Sequence, residues 1–310
     1  MSKIKSLSYG LELEMVEAAS NLPVLVESQG FGLRRDASIQ DNNGRQLRAE
    51  SLQAVEVVTP IYTKSIAWRS NTPIADIGAH ELLHLTHCAA KVNSSCGVHI
   101  HVGNPVDTGE STVWNPMRER HHNSPVPKSH WTPAQVQTWL AAGLLFEQTW
   151  LYSTVPRSRF NSDTCSAITD RYSPSELQSN DPIGKLVYRK YNNDKRYCWL
   201  NVTETKRQKD PNENRIGYAS SEPFGTVEIR LLGETKDLEY ITNWVNLWLY
   251  TAAIIASFPF NKAMLIFLHD RTLMAKVHQL ACQANAHEQT IATQVRSIVT
   301  PRHPIQQEVE

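Results

Sequence analysis

Cysteine is sparse in this chain of 310 residues, and it comes without pattern. The five, Cys88, Cys96, Cys165, Cys198 and Cys282, are odd in number and scattered, with no CxxC pair. That argues against a disulfide framework or a structural zinc knuckle and makes a reducing cytoplasm the simplest home. Long apolar runs are missing as well. A membrane span needs about 20 such residues, and the best stretch, Trp248 to Phe260, is broken by Ser257 and Pro259. No membrane partner is expected. Met1 to Gly10 shows no apolar signal core and no cleavage site. An excess of one charge sign is absent too, with 31 basic against 31 acidic side chains. No broad positive field can then release counterions from a phosphate backbone, so no nucleic-acid partner is expected. There is no glycine-rich phosphate loop, which argues against a P-loop NTPase. Repeats at a period of roughly 20–50 residues are also lacking.

What is present is the composition of a globular protein. Hydrophobic residues at 41% are enough to build a core, which argues against disorder. The alternating segment Ser6 to Met15 predicts a strand. Leu22 to Gly30 predicts a short helix ending at glycine. Turns are expected around Asp36 to Ser38 and at Asn42-Asn43-Gly44. Ala54 to Tyr62 predicts a strand, Ile77 to Val92 a helix, and Val98 to Val102, bracketed by Gly97 and Gly103, another strand. Asn104 to His130, rich in Pro, Asn and His, reads as a loop insertion.

Thr132-Pro133 starts a helix that runs to about Leu151, the threonine capping and the proline at the first helical position. Arg157 to Asp170 reads as irregular, Lys185 to Lys190 as a short helix, Tyr197 to Thr203 as a strand and Glu204 to Pro223 as a loop. Gly225 to Leu232 is the last strand. Helix follows over Leu238 to Ser257 and again over Lys262 to Val299, and a tail begins after Pro301. The fold class expected is α+β, a curved and mainly antiparallel sheet with flanking helices. The domain division expected is a catalytic domain over residues 1–260, with an insertion at 104–130, and a helical extension over 261–310.

The chemistry resides in the strands. Residues two apart on a strand point to one face. Glu12 and Glu14 therefore place two carboxylates side by side, about 7 Å apart, a spacing that suits two hard metal ions; a solvated strand face is the plain alternative. His99 and His101 share a face while Val98, Ile100 and Val102 take the other. Glu228 and Arg230 share a face opposite Val227, Ile229 and Leu231. They are either an ion pair of small worth or a metal ligand beside a phosphate-binding guanidinium. Glu56 stands alone among apolar residues in AVEVVTP, and Asn201 interrupts the apolar segment CWLNVT. If these faces converge, Glu12, Glu14, Glu56, His99, His101, Glu228 and Arg230 line one hollow. Four carboxylates in a low dielectric repel, and Mg²⁺ or Mn²⁺ bound together with nucleotide phosphates would relieve that repulsion. Cys96 and Cys165 lie near these motifs; a nucleophilic cysteine with a histidine base is one reading, and a small buried hydrophobe is the ordinary one.

The order of YGLELEM, the Asp36 and Ser38 turn, VEVVTP, CGVHIHV, YCWLNVT and GTVEIRLLGET resembles the amidoligase family. That family lies within the glutamine synthetase and glutamate–cysteine ligase-like superfamily of carboxylate–amine ligases. The resemblance covers roughly residues 8 to 245. It implies a glutamine synthetase-like sheet that holds ATP and two or three divalent ions, Mg²⁺ or Mn²⁺. It further implies amide or peptide bond formation: ATP phosphorylates a substrate carboxylate and an amine attacks the acyl phosphate. By the same resemblance Glu12, Glu14, Glu56, His99 and Glu228 are metal ligands. His101 becomes a phosphate contact and Arg230 the arginine that stabilises the transferring phosphoryl group. Glu56 and Asp36 fall at further acidic positions of catalysis, and Arg159 and Asn201 at nucleotide-binding ones. The chain departs from the family pattern at Gly233-Glu234-Thr235, where glycine ordinarily precedes threonine directly.

Two other readings stand beside this one. A zinc hydrolase would use His99 and His101, but it needs three protein ligands and an open water position. HExxH is absent, and only His121 or His122 offers a third imidazole. A non-catalytic binding protein on the same fold is the other.

Overall fold

Successive side chains of a strand face opposite ways, and this chain uses that rule to give one sheet an apolar face and a charged face. The computed structural model describes residues 4–18, 20–28, 31–35, 39–40, 54–59, 61–67, 91–93, 95–104, 112–113, 122–125, 131–155, 159, 165–178, 197–202, 225–233 and 235–299. The strands are β1 (Ile4–Val16), β2 (Gly32–Arg35), β3 (Ala54–Val58), β4 (Tyr62–Ala67), β5 (Val98–Gly103), β6 (Thr112–Val113), β7 (His122–Pro125), β8 (Leu200–Asn201) and β9 (Thr226–Leu232). The helices are α1 (Leu22–Ser28), α2 (Pro133–Thr149), α3 (Ile168–Arg171), α4 (Pro174–Leu177), α5 (Leu238–Ser257), α6 (Phe260–His269) and α7 (Arg271–Val299).

Seven strands form one sheet in the order β2-β3-β1-β5-β9-β8, with β4 also paired to β1. Every strand pairing in it is antiparallel. The architecture is thus α+β with an antiparallel sheet. β1 sits at its centre: its first half pairs with β4, its second half with β3, and its other edge with β5.

The apolar face carries Leu7, Tyr9, Leu11, Leu13 and Met15 from β1, Val98, Ile100 and Val102 from β5, and Val227, Ile229 and Leu232 from β9, all buried. α5 lies against β1, β4 and β5 on this side. It forms because Asp237 accepts a hydrogen bond from the Tyr240 N–H at its start and because fifteen of its twenty residues are buried, too apolar to face water. Trp139, Trp199, Trp244 and Trp248 are fully buried and pack ring against ring, Trp244 on Trp248 at 5.8 Å and Trp199 on Trp248 at 5.6 Å. α2 starts at Thr132 with a capping box to Gln135, as its Thr-Pro start predicts.

The structure differs from the sequence reading in several elements. The expected strand Ala54 to Tyr62 divides into β3 and β4, with Pro60 between them unable to donate to a ladder. The expected strand Tyr197 to Thr203 contracts to two residues. Lys262 to Val299 breaks at Asp270, whose extended backbone ends α6 and whose carboxylate accepts the Leu273 N–H at the start of α7. Ile168–Arg171 is helical within a stretch expected to be irregular, and the insertion carries the β6–β7 pair. Ala263 and Phe267 of α6 and Leu273, Val277, Leu280 and Ala284 of α7 belong to the same apolar cluster as the sheet. The C-terminal helices therefore share the core of the preceding residues. Lys91, placed in the expected helix Ile77 to Val92, instead forms an isolated bridge with Val16. Val92 is not helical either. Residues 77–90, the two early turns, Lys185 to Lys190, Glu204 to Pro223 and the tail after Pro301 fall outside the described residues. Among the described residues no helix is long and apolar enough to cross a membrane.

Candidate metal centre on the charged face of the sheet

Pairing register decides whether scattered polar residues meet. Residues directly opposite across two strands share a face. Glu14 lies opposite Glu56, and Glu12 opposite His99. His101 lies opposite Glu228, which lies opposite Asn201. Five strands therefore bring Glu56, Glu14, Glu12, His99, His101, Glu228, Arg230 and Asn201 onto one face. Glu14, Glu56, His99, Asn201, Glu228 and Arg230 are buried. Arg34 holds the register position opposite Glu56 on β2. Asp36 and His121 lie outside the described residues; His122 belongs to β7.

The contacts are short. His99 Nδ1 is 3.4 Å from Glu12 Oε2 and 3.3 Å from Glu228 Oε1, and its Nε2 is 3.6 Å from Glu14 Oε1. His101 Nε2 is 3.3 Å from Glu12 Oε2. Asn201 Nδ2 donates to Glu228 Oε2 at 2.7 Å, and Arg230 Nη1 donates to Glu228 Oε1. Burial opposes ionisation of Glu12, but the adjoining imidazoles of His101 and His99 hold its carboxyl well below the usual glutamate range. Burial likewise opposes charge on Glu228, and the Arg230 guanidinium, then His101 and His99, hold it low. Burial acts against the charge of Arg230, while Glu228, Glu14 and Glu12 push its pKa up. Glu12 and Glu228 therefore keep their negative charge in this group, beside the Arg230 guanidinium.

A β-bulge shapes this face. Val98 pairs with Leu232 and Ile100 with Ile229, so His99 faces one residue too many on β9. The extra residue falls at Arg230 and Leu231. The Arg230 carbonyl, displaced from the ladder, accepts from Arg159 Nη2 at 3.3 Å and from Cys165 Sγ at 3.5 Å. Arg159 Nη1 reaches the Cys96 carbonyl at 3.5 Å. Arg159 thus enters the site, expected there for nucleotide, with two of its nitrogens held by backbone carbonyls. Its guanidinium crosses Gly97, where a methyl group would overlap Nη2 and stand 3.3 Å from Glu14 Oε2. Gly97 is a site residue that pattern reading passes over as a strand boundary. Gly225, at a φ of 65°, makes the left-handed turn that launches β9. Lys236 and Thr235 border a crevice shared with Glu14 and Gly97. Thr235 closes the segment GTVEIRLLGET, whereas Lys236 stands in no motif and no periodicity marks it.

The donors fit a hard divalent cation. Glu12, His101 and Glu228 each bring a ligand atom to within 4.8 Å of the other two, a span one ion can bridge. His99 Nε2 is buried and makes no hydrogen bond. Among the described side chains, four carboxylates meet two guanidiniums on this face. In comparison with known proteins, no family model matches the chain, and no curated protein or solved structure matches it either.

Proposed function

We propose that this chain is an ATP-dependent carboxylate–amine ligase on a glutamine synthetase-like sheet, forming an amide or peptide bond through an acyl phosphate. The observation that carries the reading is the pairing register, which gathers acids, imidazoles and a guanidinium from separate strands onto one face. The amidoligase resemblance of the same motifs points the same way. A divalent ion, Mg²⁺ or Mn²⁺, when bound supplies neutralisation of the transferring phosphoryl group. Glu12, His101 and Glu228 would hold one such ion, and Glu14, Glu56 and His99 are placed beside it to hold another. Arg230, fixed by its bond to Glu228, presents a cation that cannot deprotonate at the place where phosphoryl charge develops. Asn201 keeps Glu228 oriented through its 2.7 Å donation. Burial of Glu14, His99 and Glu228 excludes water from the floor of the site, which strengthens each of these interactions.

The test is an ADP-release screen of amino acids, amines and peptides with Mg²⁺, with mass spectrometry of the products. The expected result is release that requires both a carboxylate and an amine, lost in Glu12→Ala, Glu228→Ala and Arg230→Ala. Release persisting in all three variants with native circular dichroism overturns the assignment. A zinc hydrolase is the second reading, favoured by the imidazole that joins the Glu12 and Glu228 carboxylates. Chelator-sensitive turnover restored by Zn²⁺ without nucleotide would identify it.

A further inference from the structure

One ring nitrogen of His101 faces the carboxylates and the other does not. Nε2 lies 3.3 Å from Glu12 Oε2, while Nδ1 lies 3.2 Å from the Thr226 hydroxyl oxygen. Thr226 is the first residue of β9, two before Glu228, and its backbone partner across the ladder is Gly103. The strand that brings a ligand thus also brings a hydroxyl to the far side of its neighbouring imidazole.

We infer that Thr226 is a positioning residue for His101, setting which of its nitrogens presents a lone pair to a divalent ion. The inference rests on the metal reading of the site. A neutral imidazole has one N–H and one lone pair, and the partner of one nitrogen fixes the role of the other. With an ion on Nε2, the proton must sit on Nδ1, which then donates to Thr226 Oγ1. Without the ion, Nε2–H can donate toward Glu12, and the Thr226 hydroxyl turns to donate to Nδ1. A hydroxyl serves both states because it both donates and accepts; a carbonyl or a carboxylate in its place would serve only the first. The proton shifts between ring nitrogens by way of solvent while the ring stays where it is, so loading needs no rearrangement of the sheet.

The experiment compares wild type, Thr226→Val and Thr226→Ser by Mn²⁺ calorimetry and by ¹⁵N spectra of the His101 ring with and without Mg²⁺. Valine keeps the shape and removes the hydroxyl; serine restores it. Loss of such a partner weakens metal binding about 10–100-fold, so Thr226→Val should bind Mn²⁺ weaker by that factor and Thr226→Ser should bind close to wild type. In wild type, Mg²⁺ should move the His101 proton to Nδ1. Equal Mn²⁺ affinity in wild type and Thr226→Val overturns the role of Thr226 and leaves the ligase reading intact. Binding that follows the hydroxyl without any ADP release supports Thr226 and overturns the ligase. No Mn²⁺ binding by wild type overturns both.

Discussion

Glu147 shows how much a single buried acid can hold. Its Oε1 accepts the Ile168 N–H at 2.8 Å and the Trp199 indole N–H, tying α2 to α3 and to the segment leading into β8. Burial pushes its carboxyl pKa up, against the two donors that favour its charge. The folded form therefore prefers the protonated acid more than the unfolded chain does. Its contribution to stability is complete below the ordinary glutamate value and is lost as pH rises through the raised one. Glu147→Gln, permanently neutral, should gain on wild type as pH goes from 4 to 8, read from urea midpoints; a constant difference would contradict this. Glu147→Ala leaves two donors unpaired and should cost about 2–4 kcal/mol. Gly97 gives a second prediction at this scale. Gly97→Ala and Arg159→Ala both remove the guanidinium from the Arg230 carbonyl, at about 1–2 kcal/mol each. Their double variant should then lose little more than either alone, because the pair shares one interaction.

At the scale of elements, alternation made the site strands legible. Glu12 with Glu14, His99 with His101, and Glu228 with Arg230 were each assigned to one face by the two-residue period, and the structure puts all six on one face. Register was not legible, because period says nothing of which strand lies beside which. The bulge leaves one trace in the segment Gly225 to Leu232, the consecutive Leu231 and Leu232 that break its alternation, but only pairing with β5 shows where the extra residue falls. Asp270 resembled any helical acid, since its effect is to cap the next helix. Glu147 and Thr226 carry no local signal, because each acts through an element remote in sequence. The helix behind the sheet was plain from its apolar content, and it offers a sharp test. Trp248 contacts Trp139, Phe146, Trp199 and Trp244; Trp248→Ala should cost about 3–5 kcal/mol by denaturant unfolding, with a blue-to-red shift of the remaining tryptophan emission.

At the scale of the molecule, sheet and C-terminal helices form one core. α7 places Leu273, Val277 and Leu280 in it, three aliphatic side chains worth about 1.5–3 kcal/mol each when buried. A chain ending at Asp270 should lose cooperative unfolding and near-ultraviolet dichroism. Retention of both would show that α7 is dispensable.

The ladder between β5 and β9 has a consequence for synthesis. His101 and Thr226 are 125 residues apart in the chain, so at about 5–20 residues per second the ribosome makes the first about 6–25 s before the second. Through that interval the acids and imidazoles of the early strands have neither the Arg230 guanidinium nor the Thr226 hydroxyl that will neighbour them. The charged face is thus completed late and all at once, when the last strand docks.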